Sequence, residues 1–195
     1  SHHVLISGTT GKGKSNLISN VLWNLVPENY CGILVLDPHD EYYGRNNIGL
    51  KDNVLNEKVV YYTPKPPAGA KTLKINLQMI KPNHFDGVVN FSDAQNQALI
   101  LYYKYFGSNW IKNILFERKI EGVSFIEQTI SVVRRRLLYL LDLEIRGENI
   151  ITKGIFDLNA GINTIPDVCK ELEDAKTVII DTSGFSGAVE ILIGS

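Results

Sequence analysis

The sequence predicts an α/β fold with a mainly parallel central sheet flanked by helices, and three observations carry that prediction. First, an apolar run, His3-Val4-Leu5-Ile6-Ser7, meets a glycine-rich turn, Gly8 to Ser15, that fits G-x-x-x-x-G-K-[ST] at every specified position. Second, Gly32 to Leu36 and Thr177 to Ile180 are continuous apolar runs of the kind buried on both faces of a parallel sheet, and each is followed by an acid, Asp37 or Asp181. Third, residues 92–144 are helical in character. Together these describe a single P-loop nucleoside triphosphatase domain over residues 1–195, with a helical insertion around 92–144.

Each residue type in the turn has a mechanical reason. Gly8, Gly11 and Gly13 permit backbone angles that a side chain would forbid, so successive N–H groups can turn inward around a phosphate. Lys14 is suited to reach the β- and γ-phosphates and the Ser15 hydroxyl to hold Mg2+. The following helix points its positive end at the anion. The context agrees: Val4 to Ile6 form the expected strand, and Asn16 to Val26 carry Leu17, Val21, Leu22 and Leu25 at helical spacing. The predicted nucleotide-binding set is Gly8, Thr9, Thr10, Gly11, Lys12, Gly13, Lys14, Ser15 and Asn16, with ATP and Mg2+ as the implied cofactors. A glycine-rich surface turn is the alternative, and eight residues in register between a strand and a helix argue against it.

A chain of 195 residues with 44% hydrophobic and 21% charged residues suits one globular α/β domain. Twenty basic against twenty-one acidic residues give a net charge of −1, which neither favours nor excludes nucleic acid, because a ring can confine its basic residues to a central channel. No run of eighteen apolar residues offers a transmembrane helix, no signal peptide precedes the first run, and a cytoplasmic location is expected. The chain opens without an initiator methionine and stops within the apolar stretch Ile191 to Ser195, so a piece of a longer protein is expected. Cys31 and Cys169 lack metal-type spacing and are expected to be buried free thiols.

Along the chain, Pro27 to Tyr30 break the first helix, and the next strand runs to Asp37-Pro38-His39-Asp40-Glu41-Tyr42. Acids at the carboxyl end of a central strand are where α/β folds place ligand-facing groups. Gly44 to Asp52 is expected as loop, Val59 to Tyr62 as strand, and Pro64 to Gly69 as a turn. Leu73 to Leu77 alternates apolar and polar residues, which suggests a half-exposed strand paired with the one before it. Ser92 with Gln95 has the form of a capping box opening a helix that Gly107 ends. Trp110 to Glu117 suits a second short helix. Ser124 with Glu127 opens a third, whose apolar face is Ile126, Ile130, Val133, Leu137 and Leu141. Such inserts serve either subunit contacts or the covering of a sheet face. Short strands are expected within Asn149 to Phe156, a helix over Thr164 to Asp174 with Pro166 in its first turn, and a helix from Ala188.

Hydrolysis of a triphosphate needs a positioned water and a metal ion, so carboxylates must lie within reach of both. Asp37 and Glu41 are the candidates beside the phosphates, with Lys14 the third catalytic residue, and Asp181 joins Ser15 as a candidate metal ligand. A strand-ending Asp181 is also common as a plain loop cap. Arg134-Arg135-Arg136 spread over about 200° of a helix, at about 100° per residue, and cannot all face one ligand. They read as a solvated face with one buried stem, or as a subunit or nucleic-acid contact. His2, His3, His39 and His84 have no metal spacing, and the first two suit an expression tag.

The P-loop, the D-P-H-x-E-Y segment at Asp37 to Tyr42 and the Asp181-Thr182-Ser183-Gly184 strand end, in that order, resemble the archaeal HerA helicase branch of the HerA/FtsK ATPases. That resemblance implies a RecA-like domain that forms a hexameric ring around double-stranded DNA and translocates it with ATP, in DNA end processing and repair, beside a NurA-type nuclease. By the same resemblance Gly8 to Ser15 hold the triphosphate and magnesium, and Asp37 and Glu41 lie beside the γ-phosphate. Two departures stand out. The family has glycine where this chain has Asp40, and its Walker B acids and arginine finger lie on later segments, so Asp181 is not its Walker B residue. This chain is therefore expected to bind nucleotide weakly and hydrolyse it poorly. Alternatives are a DNA-packaging or conjugative pump of the same superfamily, a small P-loop nucleotide kinase, and a non-catalytic nucleotide-binding module.

Overall fold

The computed structural model describes residues 3–123, 125 and 127–195. In chain order its main elements are α1 (Lys14–Leu25), β1 (Ile33–Asp37), β2 (Val59–Thr63), β3 (Lys71–Thr72), β4 (Ile75–Asn76), α2 (Asp93–Phe106) and α3 (Trp110–Leu115). They continue as α4 (Glu127–Leu140), β5 (Leu143–Arg146), β6 (Asn149–Thr152), β7 (Phe156–Asp157), α5 (Thr164–Glu173), β8 (Thr177–Asp181) and α6 (Gly187–Gly194). The α/β class and the parallel central sheet are as expected. The elements gather into two compact units, Ser1–Thr72 with Pro166–Ser183, and Leu73–Ile165 with Gly184–Ser195.

The first unit holds a parallel four-stranded sheet in the order β1-β8-β2-β3. Every residue of β8 is buried, which is what a strand flanked on both edges requires and why Thr177 to Ile180 read as unbroken apolar sequence. Helix α1 lays Ile18, Leu22 and Val26, spaced four apart, on the sheet face formed by Ile33, Val35, Tyr61 and Ile179. Where β1 begins, Gly32 lies so close to α5 that an added Cβ would sit 2.2 Å from the Leu172 carbonyl oxygen. Glu171 on α5 receives ion pairs from Lys71 of β3 (2.7 Å) and from Lys176 (2.5 Å). The strands that flank the site therefore have their packing fixed from more than one direction.

Three expectations are corrected in and around this unit. Val4 to Ile6 form no strand, and Val4 and Leu5 are 87% and 90% exposed. Apolar side chains alone do not make a strand without a neighbour to accept its backbone hydrogen bonds, and among the described residues none lies beside it. Leu73 to Leu77 does not extend the sheet either: β4 pairs in parallel with β7 in the second unit. Cys31 and Cys169 are free as expected but exposed, one in the segment leading into β1 and one within α5.

The second unit packs α2, α3 and α4 around Trp110, Leu99, Tyr102, Ile114, Val133 and Leu137, all buried. Trp110 donates its indole N–H to the Ile80 carbonyl (2.8 Å) and meets Phe85 edge to face. The capping box forms as read: the Gln95 amide donates to the Ser92 hydroxyl (3.4 Å) and the Ser92 amide to the Gln95 side chain (3.1 Å). Gly107 closes α2 at φ 57°. The proposed cap at Ser124 and the apolar position of Ile126 lie outside the described residues, as does His2. Helical structure ends at Leu140, short of Glu144, because Asp142 takes a left-handed conformation (φ 49°) and the chain turns into the antiparallel hairpin of β5 and β6. Arg134 donates to the Leu115 carbonyl (2.8 Å) and Arg136 to the Asn90 carbonyl (2.7 Å), while Arg135 is exposed. Two of the three arginines thus tie helix α4 to its own unit.

Candidate functional site

The site begins where α1 begins. Gly11 and Gly13 hold φ of 79° and 81°, the left-handed region that only glycine enters without strain. Gly13 is the residue preceding α1, no side chain caps that end, and no acid stands in the first turn. The unclaimed amides of the first turn and the helix dipole therefore face an open depression of about 480 Å3. Thr10, Gly11, Gly13, Lys14, Ser15 and Asn16 form one wall of it, and His39 and Glu41 the other. Gly8 and Thr9 act differently: their carbonyls accept from the Lys14 ammonium at 2.7 and 3.1 Å. The Lys12 amide closes the turn on the Thr9 carbonyl at 3.3 Å.

Asp37, at the tip of β1, is fully buried. Its carboxylate accepts the backbone N–H of His39 (3.3 Å), Glu41 (3.2 Å) and Tyr42 (3.0 Å). Those three bonds fold residues 38–42 into a tight turn that carries His39 and Glu41 back towards the P-loop. The burial of the Tyr42 ring, and then the neighbouring Asp37 and Glu41 charges, push its hydroxyl above the usual tyrosine value. Glu41 is exposed, and among the described residues its carboxylate has no hydrogen-bond or ion-pair partner. Asp37 is the buried organiser of the turn, and Glu41 is the acid presented to the depression.

A second polar depression, about 340 Å3, adjoins the first and shares Ser15, Asn16, His39 and Glu41 with it. Its far wall includes Asp40, Arg45 and Asn47. Arg45 joins the loop to the strand tips. Its Nε lies 3.0 Å from Asp40, an ion pair without a hydrogen bond, and the two protons of its Nη2 are shared among the Tyr61 hydroxyl (2.8 Å), the Thr63 hydroxyl (2.8 Å) and Asp181 (3.2 Å). The Tyr61 hydroxyl gives its one proton to Asp40 at 2.6 Å. Burial, followed by that bond, raises its ionisation well above the ordinary range for tyrosine. Asp181 accepts from the Thr63 hydroxyl (2.6 Å) and from the Ser183 amide (2.9 Å) and hydroxyl (2.5 Å), and it lines neither depression.

The profile described as the central domain of helicase HerA matches residues 1–195. The chain belongs to the HerA central-domain family. No curated protein matches it. Membership of the HerA family assigns the chain to an ATPase and helicase type of superfamily and implies nucleotide binding.

The residues fit that ligand. The uncapped end of a twelve-residue helix, two left-handed glycines and a lysine whose only partners among the described residues are loop carbonyls supply amide and ammonium donors to a phosphate chain. No group of three or more His, Cys, Asp or Glu among the described residues could hold an ion alone. Magnesium beside a nucleotide binds through one or two protein groups with phosphate oxygens and water, and the Ser15 hydroxyl on the wall of the depression is such a group. His39, Arg45, Tyr61 and Thr63 were not among the site residues expected from the sequence. His39 had a signal, lying between two candidate acids in the D-P-H-D-E-Y segment. Arg45 had none, because its partners are 5 to 136 residues away in the chain.

Proposed function

We propose that this chain is the ATP-hydrolysing core of a DNA translocase of the HerA type. Within that reading it works as one subunit of a hexameric ring on double-stranded DNA, in end processing or repair with a NurA-type nuclease. The observation that carries the proposal is the shared depression: the carboxylate of Glu41 and the P-loop residues Lys14 and Ser15 face the same space. Lys14 exchanges its Gly8 and Thr9 carbonyls for phosphate oxygens, and the first-turn amides of α1 bind the same chain of phosphates. Ser15 would hold magnesium, which when bound supplies positive charge against the phosphates. Glu41, free of partners, orients the attacking water, and the Asp37 turn keeps it in place.

Replacing Lys14 tests this. In the full-length protein, Lys14→Ala is expected to lower ATP affinity at least tenfold and to abolish both turnover and ATP-dependent DNA movement. Retained DNA movement would leave only an assembly module. Phosphate transfer to a nucleoside monophosphate, assayed with a panel of acceptors, would instead identify a kinase.

A further inference from the structure

Glu41 stands on a loop that is anchored on both sides. On one side is the Asp37 turn. On the other, the Leu50 and Lys51 amides donate to the Tyr42 and Tyr43 carbonyls (2.9 and 3.1 Å), and the Tyr43 ring stacks on Tyr61 at 4.1 Å. Arg45 connects this loop to the sheet. Its guanidinium sits 5.7 Å from the Tyr61 ring centre and reaches Thr63 on β2 and Asp181 on β8, neighbouring strands of the sheet. Asp40, directly before Glu41, takes a left-handed backbone conformation (φ 53°) unusual for a residue with a side chain. The side chain that pays for this conformation holds Arg45 and Tyr61.

We infer that Arg45 is a positioning residue for Glu41: by clamping Asp40 to Tyr61, Thr63 and Asp181 it holds the loop so that the Glu41 carboxylate faces the P-loop. The inference rests on the proposed reading of the depression as a triphosphate-hydrolysing site. Direct contact of Arg45 with a phosphate is the competing role, and the geometry disfavours it. Arg45 lies on the wall of the adjoining depression and not of the P-loop one. Its Nη2 is already shared among Asp181 and the Tyr61 and Thr63 hydroxyls, and its Nε lies 3.0 Å from Asp40 as an ion pair without a hydrogen bond, so a phosphate would have to displace partners already in place. A lysine could not span these partners, because one ammonium cannot reproduce a planar fork.

The test is a double-mutant cycle on the whole protein, with ATP turnover and amide hydrogen exchange as separate readouts. Arg45→Ala is expected to lower kcat at least tenfold while KM for ATP changes less than threefold, and Arg45→Lys to recover little of it. In a Glu41→Gln background the same Arg45→Ala change should alter kcat less than twofold, because Arg45 acts only through Glu41. Equal loss in both backgrounds would overturn the inference, as direct phosphate contact or general damage to the fold gives that result. Exchange at the His39, Glu41 and Tyr42 amides should quicken at least tenfold in Arg45→Ala with α1 unchanged. Unchanged exchange at those amides overturns the clamp whatever the turnover. Absence of ATP turnover in the wild-type protein would defeat the functional reading instead, leaving the exchange result to decide the clamp.

Discussion

Replacing Asp181 by alanine separates a structural carboxylate from a metal ligand. In the structure Asp181 is buried and accepts the Thr63 hydroxyl at 2.6 Å, the Ser183 amide at 2.9 Å and hydroxyl at 2.5 Å, and Arg45 Nη2 at 3.2 Å. The Tyr61 contact at 3.2 Å adds nothing, because its proton goes to Asp40. Hydrogen bonds to a charged group are worth about 1.5–3 kcal/mol each, but they are not additive. Removing one partner of a buried pair costs about 3–5 kcal/mol. Arg45 keeps Asp40, and its side chain is 27% exposed, so water compensates part of the loss and the lower end applies. A loss of about 3 kcal/mol in a chain of this size lowers Tm by roughly 6–12 °C. Asp181→Asn keeps an oxygen for the Ser183 amide and should lose about half as much. Thermal unfolding followed by circular dichroism, with and without Mg2+ and ATP, measures this. A shift below about 2 °C in Asp181→Ala, combined with lost magnesium-dependent turnover, would refute the structural role and make Asp181 a metal ligand.

Two further outcomes concern the second unit. Trp110→Phe removes the bond to Ile80 and part of a fully buried ring, and should destabilise that unit by about 2–3 kcal/mol, read from urea unfolding by the exchange of α2 and α3 amides. Glu144, bonded first by Arg146 and then by Lys153, has its carboxyl lowered to about 2. A depressed folded value means its contribution is whole above the unfolded value near 4.5 and is lost as pH falls through about 2. A carbon-detected titration of Glu144 should therefore show no inflection between pH 4 and 7, and a midpoint above 4 would refute the pairing.

What the sequence revealed depended on how local the cause was. The α1 boundary, the Ser92 cap, Gly107 and the apolar runs of β2 and β8 are all decided within a few residues, and each was legible; β1 forms where expected, but it is an edge strand with Leu34 and Leu36 exposed and not buried on both faces. Where a partner far along the chain decides, reading failed. Val4 to Ile6 carry strand-forming residues, yet a strand is made by its neighbour. Leu73 to Leu77 alternate correctly, yet Ile75 and Asn76 find their partner at Phe156 and Asp157. Cysteine burial also failed, since apolar neighbours in sequence place Cys31 and Cys169 on no particular face. The candidate site divides the same way. Lys14, Ser15 and Glu41 follow from short motifs, whereas the network of Arg45 with Tyr61, Thr63 and Asp181 exists only after three strands have assembled.

Charge accounting then distinguishes among the acids that the sequence offered as equals. Four carboxylates, Asp37, Asp40, Glu41 and Asp181, lie at or near two neighbouring strand tips, where a triphosphate would add further negative charge. Three are already satisfied: Asp37 by backbone amides, and Asp40 and Asp181 by one arginine and by hydroxyls. Hydrogen bonds of that kind hold a carboxylate in place and direct its lone pairs inward, which leaves it poorly placed to take a proton from water. Glu41 alone has lone pairs open to the depression, and Lys14 alone in that space carries a full charge balanced only by carbonyl dipoles. An acid without a partner among the described residues, facing a lysine bonded only to carbonyls beside a helix N-terminus, is consistent with the proposed phosphoryl chemistry. Of the remaining three acids, Asp37 binds the backbone amides of the turn on which Glu41 stands, and under the proposed clamp Asp40 and Asp181 hold that turn through Arg45.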